Sequence, residues 1–359
     1  MLTSGPAAEA APAKLIPAAE KAIPNQYIVV LKEGANARSV AAAAGVSPKH
    51  VYEAALNGFA ATLNAGQLNA LQHHPGVDYI EQDGEVSINT TQTVGFGQWG
   101  LDRIDQRNLP LDGLYTYTAT GSNVTAYVIG TGIYTAHSDF GGRAANVYDA
   151  FGGTGADCNG HGTHVTGIVG GARYGVAKSV RLRGLRVFDC NGSGTWSGII
   201  SAIDWVRLNA VRPAVATLAL SGGANISIDN ATTSLANSGV FVAVPAGDNN
   251  ADACNYSPAR ASSVMTVGAS DRNDNKASFS NYGPCVEIYA PGVQIQSTWV
   301  GSTSSTNTLN GTAQAAAHVA GCAAKYKSIH GDTAQSTINS WLVNNATTVG
   351  PIKILYCPW

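Results

Sequence analysis

The sequence predicts a large α/β domain, with a mainly parallel sheet covered by helices on both faces, preceded by a small α+β domain. Two observations carry this. Beyond residue 123, strand-length apolar runs alternate with helical ones, and strands apolar on both faces belong to sheets buried on both sides. Before residue 90, a shorter stretch reads strand, helix, strand, strand, helix, strand. At 359 residues the chain has room for two units.

Taken in order, the N-terminus MLTSGPAAEAAPAKL lacks the basic start and apolar centre of a signal peptide, so residues 1–21 read as a spacer left after a signal was removed. The small domain spans residues 22–89. QYIVVLK alternates as a strand and ARSVAAAAG is helix-like. HVYEAALNGFAATL offers two strands about Asn57 and Gly58, AGQLNALQHHPG a second helix and VDYIEQD a last strand. That order is the ferredoxin-like one. Asn, Thr, Gln and Gly then dominate, marking residues 90–98 as an exposed linker at a processing site. The large domain spans residues 99–359. Its apolar runs include VTAYVIG, VRLRGLRVF, AVATLAL, VFVAVPAG and VMTVGAS, and no internal repeat interrupts them.

Composition narrows the function. Only 12% of residues are charged, against about 25% typically, and with 41 Gly this favours a compact, loop-rich, secreted protein. A net charge of −2 provides no basic track for nucleic acid, and no apolar run nears the roughly 18 residues of a membrane span. A monomer is expected. Six Cys suit three disulfides or six buried thiols, and many pairings are open.

Five segments bear on the chemistry, and all but VIGTGI suggest one cleft. NGTAQAAAHVAG, residues 310–321, reads as a Gly-Thr turn entering a buried helix whose free N–H groups would attract negative charge, yet Ala313 has no lone pair with which to attack. NGHGTHVTG places His161 in a Gly-bracketed turn that suits a general base, while His164 reads as a hydrogen-bonded core residue. The two lack the Glu and spacing of a zinc site. VIGTGI ends a strand at Gly130, with Thr135 where a dinucleotide loop needs a small residue. TLALSGG and VAVPAGDNN, the latter with Asp248, end two more strands, where ligands of α/β sheets bind.

Set side by side, these segments resemble the subtilisin-like serine proteases, in the proteinase K branch and nearest to aqualysin-type enzymes. WGLDRIDQRNLPLD, DCNGHGTHV, YGVAK, NYSPAR, SFSNYG, APG and LNGT carry the resemblance, which extends from residue 22 onward. It implies a three-layer subtilisin-like fold, with residues 22–89 as an inhibitory pro-segment processed near Asn89 or Thr90.

Such enzymes need a Ser nucleophile, a His base, an Asp that orients the His, and an Asn donor for the oxyanion. Matched residue by residue, only His161 is kept. Gly130 stands at the triad Asp position, Ala313 at the nucleophile position and Asp248 at the oxyanion position. Gln314, Ala316 and Ala317 replace the Met, Thr and Pro of the family's nucleophile motif GTSMATPH, and Ala219 and Ser221 alter the S1 wall. The chain therefore reads as an inactive zymogen. An active endopeptidase using Thr312 or Ser305, and a peptide-binding scaffold, are the rival readings.

The resemblance further implies bridges Cys158 to Cys190 and Cys254 to Cys285, leaving Cys322 and Cys357 either bridged or free. It implies structural calcium at Glu287 with the carbonyls of Ser262 and Val264, and at Asp102, Asp105, Gln106 and Asp112. Leu114 replaces a further ligand residue. Gly192, Ser193 and Gly194 on one side and Leu220, Ser221 and Gly222 on the other are expected to hold extended peptide by strand addition, first of all the pro-segment tail near Ile88 and Asn89.

Overall fold

The computed structural model describes residues 11–17, 22–54, 56–84 and 90–359. Contacts divide it into two units, residues 1–88 and 89–359.

In the smaller unit, β1 (Lys14–Ile16), β2 (Ala22–Leu31), α1 (Ala37–Ala43), β3 (His50–Tyr52), β4 (Gly58–Thr62), α2 (Ala65–Gln72) and β5 (Val77–Gly84) form one sheet in the order β1-β5-β2-β4-β3. The last four strands of that order are the expected ferredoxin-like core. Alternate residues Val29, Leu31, Phe59, Ala61 and Ile80 are buried with Val40 and Leu71 of the helices. Asn64 starts α2 by accepting the Gln67 N–H (2.9 Å), and the Gln67 side chain accepts the Asn64 N–H in return (3.1 Å). β1 departs from expectation. It lies inside the stretch assigned to the spacer and pairs in parallel with β5, Leu15 opposite Ile80.

The larger unit starts with a hairpin-like pair, β6 (Thr90–Thr93) against β7 (Leu114–Tyr117), separated by α3 (Trp99–Asp105). Residues 90–93 therefore form a strand rather than the start of a linker. Their Thr side chains are polar yet β-branched, and they suit an exposed edge strand. Then follow β8 (Thr125–Gly130), β9 (Ala144–Asp149), α4 (His161–Gly170), β10 (Arg181–Arg186), α5 (Trp196–Asn209), β11 (Ala214–Leu218), β12 (Gly222–Gly223), α6 (Ile226–Asn237), β13 (Phe241–Pro245), β14 (Tyr256–Ser257), β15 (Met265–Ser270), β16 (Ile288–Pro291), β17 (Ile295–Thr298), β18 (Thr306–Leu309), α7 (Thr312–His330), α8 (Gln335–Asn345), β19 (Thr347–Val349) and β20 (Ile352–Ile354).

The main sheet runs β19-β20-β16-β15-β13-β11-β8-β10-β9, parallel except between β19 and β20. Its central strands are buried on both faces. Val128, Val215, Ala243 and Val267 pack towards α4 and α7, whereas Ile129, Leu218, Val242 and Val244 pack towards α5 and α6. This gives three layers. α7 is buried from Thr312 through Lys327, which its Ala-rich composition permits. A Cβ on Gly321 would come within 2.6 Å of the Val176 Cβ, so glycine allows the helix its close approach there.

Strand order reverses about β8, since β10 and β9 continue on one side and β11 and β13 on the other. The carboxyl ends of β8, β11 and β13 therefore open the crevice in which such sheets bind ligands. Gly130, Ala219 and Asp248 lie at or just beyond those three ends.

Candidate active site

His161 opens α4, and an unexpected residue fixes it there. The buried Asp157 carboxylate accepts the N–H groups of Asn159 and Gly160 through Oδ1 (both 2.9 Å). Through Oδ2 it accepts the Thr163 N–H (2.9 Å) and hydroxyl (2.6 Å). Four donors at a helix start are thus satisfied by one side chain. Gly160 turns the chain with φ +112°, and a Cβ there would lie 2.5 Å from the Trp299 ring. Desolvation by the surrounding protein lowers the pKa of the His161 imidazole, although the Asp157 and Asp248 carboxylates oppose that shift.

A triad His needs an acceptor on its far nitrogen. Gly130 provides none, and among the described residues nothing hydrogen-bonds the His161 ring. The fold does not require glycine at 130. Its φ is not positive, and a Cβ would meet only the Ala219 Cβ at 3.6 Å and the Gly162 Cα at 3.8 Å, ordinary contacts.

At the start of α7, the Oδ1 atom of Asp248 accepts the Thr312 N–H (2.8 Å), and the Gly247 N–H donates to the Thr312 hydroxyl (3.1 Å). An acid from beyond another strand thus caps this helix, a favourable place for negative charge. Ala313 follows, its methyl group facing a cleft of about 270 Å³ that His161, Ala219, Ser221, Asp248 and Thr312 also line. His161, Asp248 and Ala313 thus line one cleft, whereas Gly130 is not part of its lining.

The hydroxyls considered as substitutes are placed differently. That of Thr312 is buried and accepts from Gly247, and that of Ser305 lies 2.8 Å from the Ser302 hydroxyl, outside the cleft lining. His164 is a core residue. Its Nε2 lies 3.1 Å from the carbonyls of Ile295 and Asn307, Gln314 Nε2 faces its Nδ1 at 3.4 Å, and burial holds its pKa at about 3.

Leu220 and Ser221 also line a second pocket, of about 420 Å³, walled by Phe188, Gly194, Trp196 and Gly222. Of the two expected peptide strips, Gly194, Leu220, Ser221 and Gly222 meet at this pocket. Gly192 and Ser193 lie in a turn, where Asp189 accepts the Ser193 N–H (2.9 Å). The Leu220 N–H is already given to the Leu218 carbonyl (2.9 Å). Phe188 and Trp196 were not read from sequence, because an apolar residue near a Gly-rich loop carries no mark of which pocket it will wall.

All six cysteines are paired. Cys158 to Cys190 and Cys254 to Cys285 are as expected, and Cys322 to Cys357 resolves the open pair as a bridge.

The two expected calcium groups differ. Asp102 accepts the N–H groups of Gly113 (2.8 Å) and Asp112 (3.3 Å), Asp105 accepts the Thr116 N–H, and the side-chain oxygen of Gln106 shares the Asp112 N–H (3.3 Å). Burial, and then the neighbouring Asp102 and Asp112 charges, push Asp105 up to about 7 against the Thr116 bond. Two carboxylates on α3, with the Gln106 amide oxygen and the Asp112 carboxylate just beyond it, form a set of hard oxygen atoms, the ligand type that calcium takes. The other group offers one carboxylate and two backbone carbonyls. Glu287 accepts the Thr266 N–H (2.6 Å), while the Ser262 carbonyl accepts the Thr233 hydroxyl (2.9 Å) and that of Val264 the Asn339 amide (3.0 Å). Each of these three groups already has a protein donor, as do Asp102, Asp105, Gln106 and Asp112 of the first set.

The profile of the subtilase family matches residues 121–356, the region that contains the cleft. The chain belongs to the subtilase family. A second profile, that of the peptidase inhibitor I9 family, matches residues 26–89, so the small unit is the inhibitory pro-domain of a subtilase. The extracellular serine proteinase of Thermus sp. (strain Rt41A) is 45% identical, over 95% of this chain and 91% of that protein. Proteinase R of Parengyodontium album is 45% identical over 87% of this chain and 82% of its own length. A crystal structure of a cold adapted subtilisin-like serine proteinase matches with a TM-score of 0.71 at 45% identity, covering 74% of this chain and 99% of that one. The expected subtilisin-like fold and proteinase K-branch membership hold for this subtilase.

Proposed function

We propose that this subtilase is a secreted zymogen that does not hydrolyse peptides and whose cleft holds extended peptide. The observation that carries the reading is the pairing of Ala313 with Asp248 at one helix start. A methyl group stands at the attacking position, and a carboxylate stands where a tetrahedral intermediate would place its own negative oxygen. Gly130 adds a third loss, since a neutral imidazole without an acceptor is free to take the wrong tautomer or orientation. The pocket beside Trp196 and Phe188 does not depend on these residues, which supports retained peptide binding. The pro-segment tail at Ile88 and Asn89 is the first occupant to consider, and it lies outside the described residues. Three disulfides, and a relative named for its extracellular location, support secretion.

The intact mass after prolonged incubation tests this. One species near 36.9 kDa is expected. Two fragments meeting near Asn89 and Thr90, formed at a rate independent of protein concentration, would show self-cleavage and overturn it.

Calcium is proposed at Asp102, Asp105, Gln106 and Asp112. The ion would tie the loop after α3 to β7. Saturating calcium is then expected to stabilise the chain by about 3 kcal/mol at a hundredfold excess over Kd. In thermal unfolding with calcium or chelator, Asp105→Asn should lose that shift while Glu287→Gln keeps it. The reverse result would move the site.

A further inference from the structure

The cleft beside Ala313 holds one exposed charge that, among the described residues, no side-chain cation answers. Asp248 is solvent-exposed. One of its carboxylate oxygens takes the Thr312 N–H, and among the described residues no Lys, Arg or His forms an ion pair with it. The other ionisable group in the lining, His161, is kept neutral near pH 7 by its surroundings. Hydroxyl and amide groups of Ser221 and Asn249 stand in the same lining. Ser221 narrows the floor, its Oγ lying 2.9 Å from where a Cβ on Gly247 would be. A carboxylate flanked by neutral hydrogen-bonding groups, with no cation of its own, is complementary to a nitrogen cation and hostile to an anion.

This cleft shares Leu220 and Ser221 with the apolar pocket walled by Phe188 and Trp196, so a ligand reaching both must be an extended segment rather than a lone small molecule.

We propose that the cleft selects extended peptides that present a cationic nitrogen, from a lysine or arginine side chain or a free amino terminus, to the Asp248 carboxylate. This rests on the reading that the cleft binds peptide, and it names the class of peptide. Loss of the oxyanion donor then has a second effect, because the acid that prevents turnover becomes the selecting group.

The test uses the intact chain and a series of acetylated fluorescent hexapeptides that differ at one position: lysine, arginine, citrulline, norleucine or glutamate. An unacetylated norleucine peptide completes the series. A segment of the chain competing for the cleft would weaken every peptide by the same factor and leave their ratios unchanged. Asp248→Asn is the informative variant, since its amide oxygen can still accept the Thr312 N–H while the charge is lost. Anisotropy titrations are expected to show lysine or arginine peptides binding about two- to fivefold tighter than their citrulline or norleucine counterparts. That ratio should vanish in Asp248→Asn and shrink in about 0.5 M salt. The same gain from the free amino terminus alone would also support the proposal and locate the cation at the peptide end. Saturable binding with equal affinity across the series, or a preference that persists in Asp248→Asn, overturns the proposal and leaves peptide binding intact. Absence of saturable binding by every peptide overturns the peptide-binding reading, and this proposal with it.

Discussion

Gly130→Asp, Asp248→Asn and Ala313→Ser, introduced together, are expected to give a chain that hydrolyses peptides and cuts itself near Asn89 and Thr90. The three positions act on different parts of one reaction. A serine at the first turn of α7 supplies the attacking oxygen. At the end of β8 the Cβ of an aspartate would make only ordinary contacts with Ala219 and Gly162. Its carboxylate would accept the far N–H of His161 and hold the imidazole in the tautomer that takes the serine proton. An asparagine at 248 exchanges a repelling carboxylate for an amide donor while keeping an oxygen for the Thr312 N–H.

Removing a triad costs about 10⁶ in kcat, a magnitude measured on subtilisin, a member of this family, and not obtained from this structure. Restoration should be of that order at most, because Ala219, Ser221 and Gln314 would remain. Ala313→Ser alone should recover little, since the Asp248 charge would still oppose the oxyanion. Turnover of a chromogenic peptide is the measurement. A triple variant no faster than the parent would overturn the roles assigned to these three positions.

Asp157→Ala is expected to destabilise the larger unit by about 3–5 kcal/mol. It would leave the N–H groups of Asn159, Gly160 and Thr163 and the Thr163 hydroxyl without their shared acceptor in a turn that is buried at Gly160 and Thr163 and half-buried at Asn159, and unmet buried donors cost about 1–3 kcal/mol each before relaxation. Urea unfolding checks this. A loss below about 1 kcal/mol would mean that water or a shift of the turn replaces the carboxylate.

Much of the fold was legible because its signals are local. Strands buried on both faces, such as β8 and β13, announce a covered parallel sheet, and the small domain's element order was readable from its alternation and its Asn57-Gly58 turn. The three-residue β1 is too short to show a period, and β6 is polar enough to resemble a linker. Their pairing is a tertiary fact. In the site, His161, Ala313 and Asp248 were legible by motif, and the cleft unites them. Asp157 was not singled out, although it stands within a quoted motif, because its four bonds appear only once the turn closes. At Glu287, sequence indicated oxygen ligands but could not show that Thr233, Thr266 and Asn339 already supply donors to that group.

The three disulfides join cysteines that are consecutive in the chain, with separations of 32, 31 and 35 residues, and no bridge spans another. During synthesis, the second cysteine of each pair therefore emerges when its native partner is the unpaired thiol that precedes it. Oxidation in chain order yields the native set without reshuffling, and each covalent ring closes over a short loop of similar entropy. The ring from Cys158 to Cys190 encloses all of α4, so the helix that carries His161 is bounded covalently before the later strands of the sheet have been made.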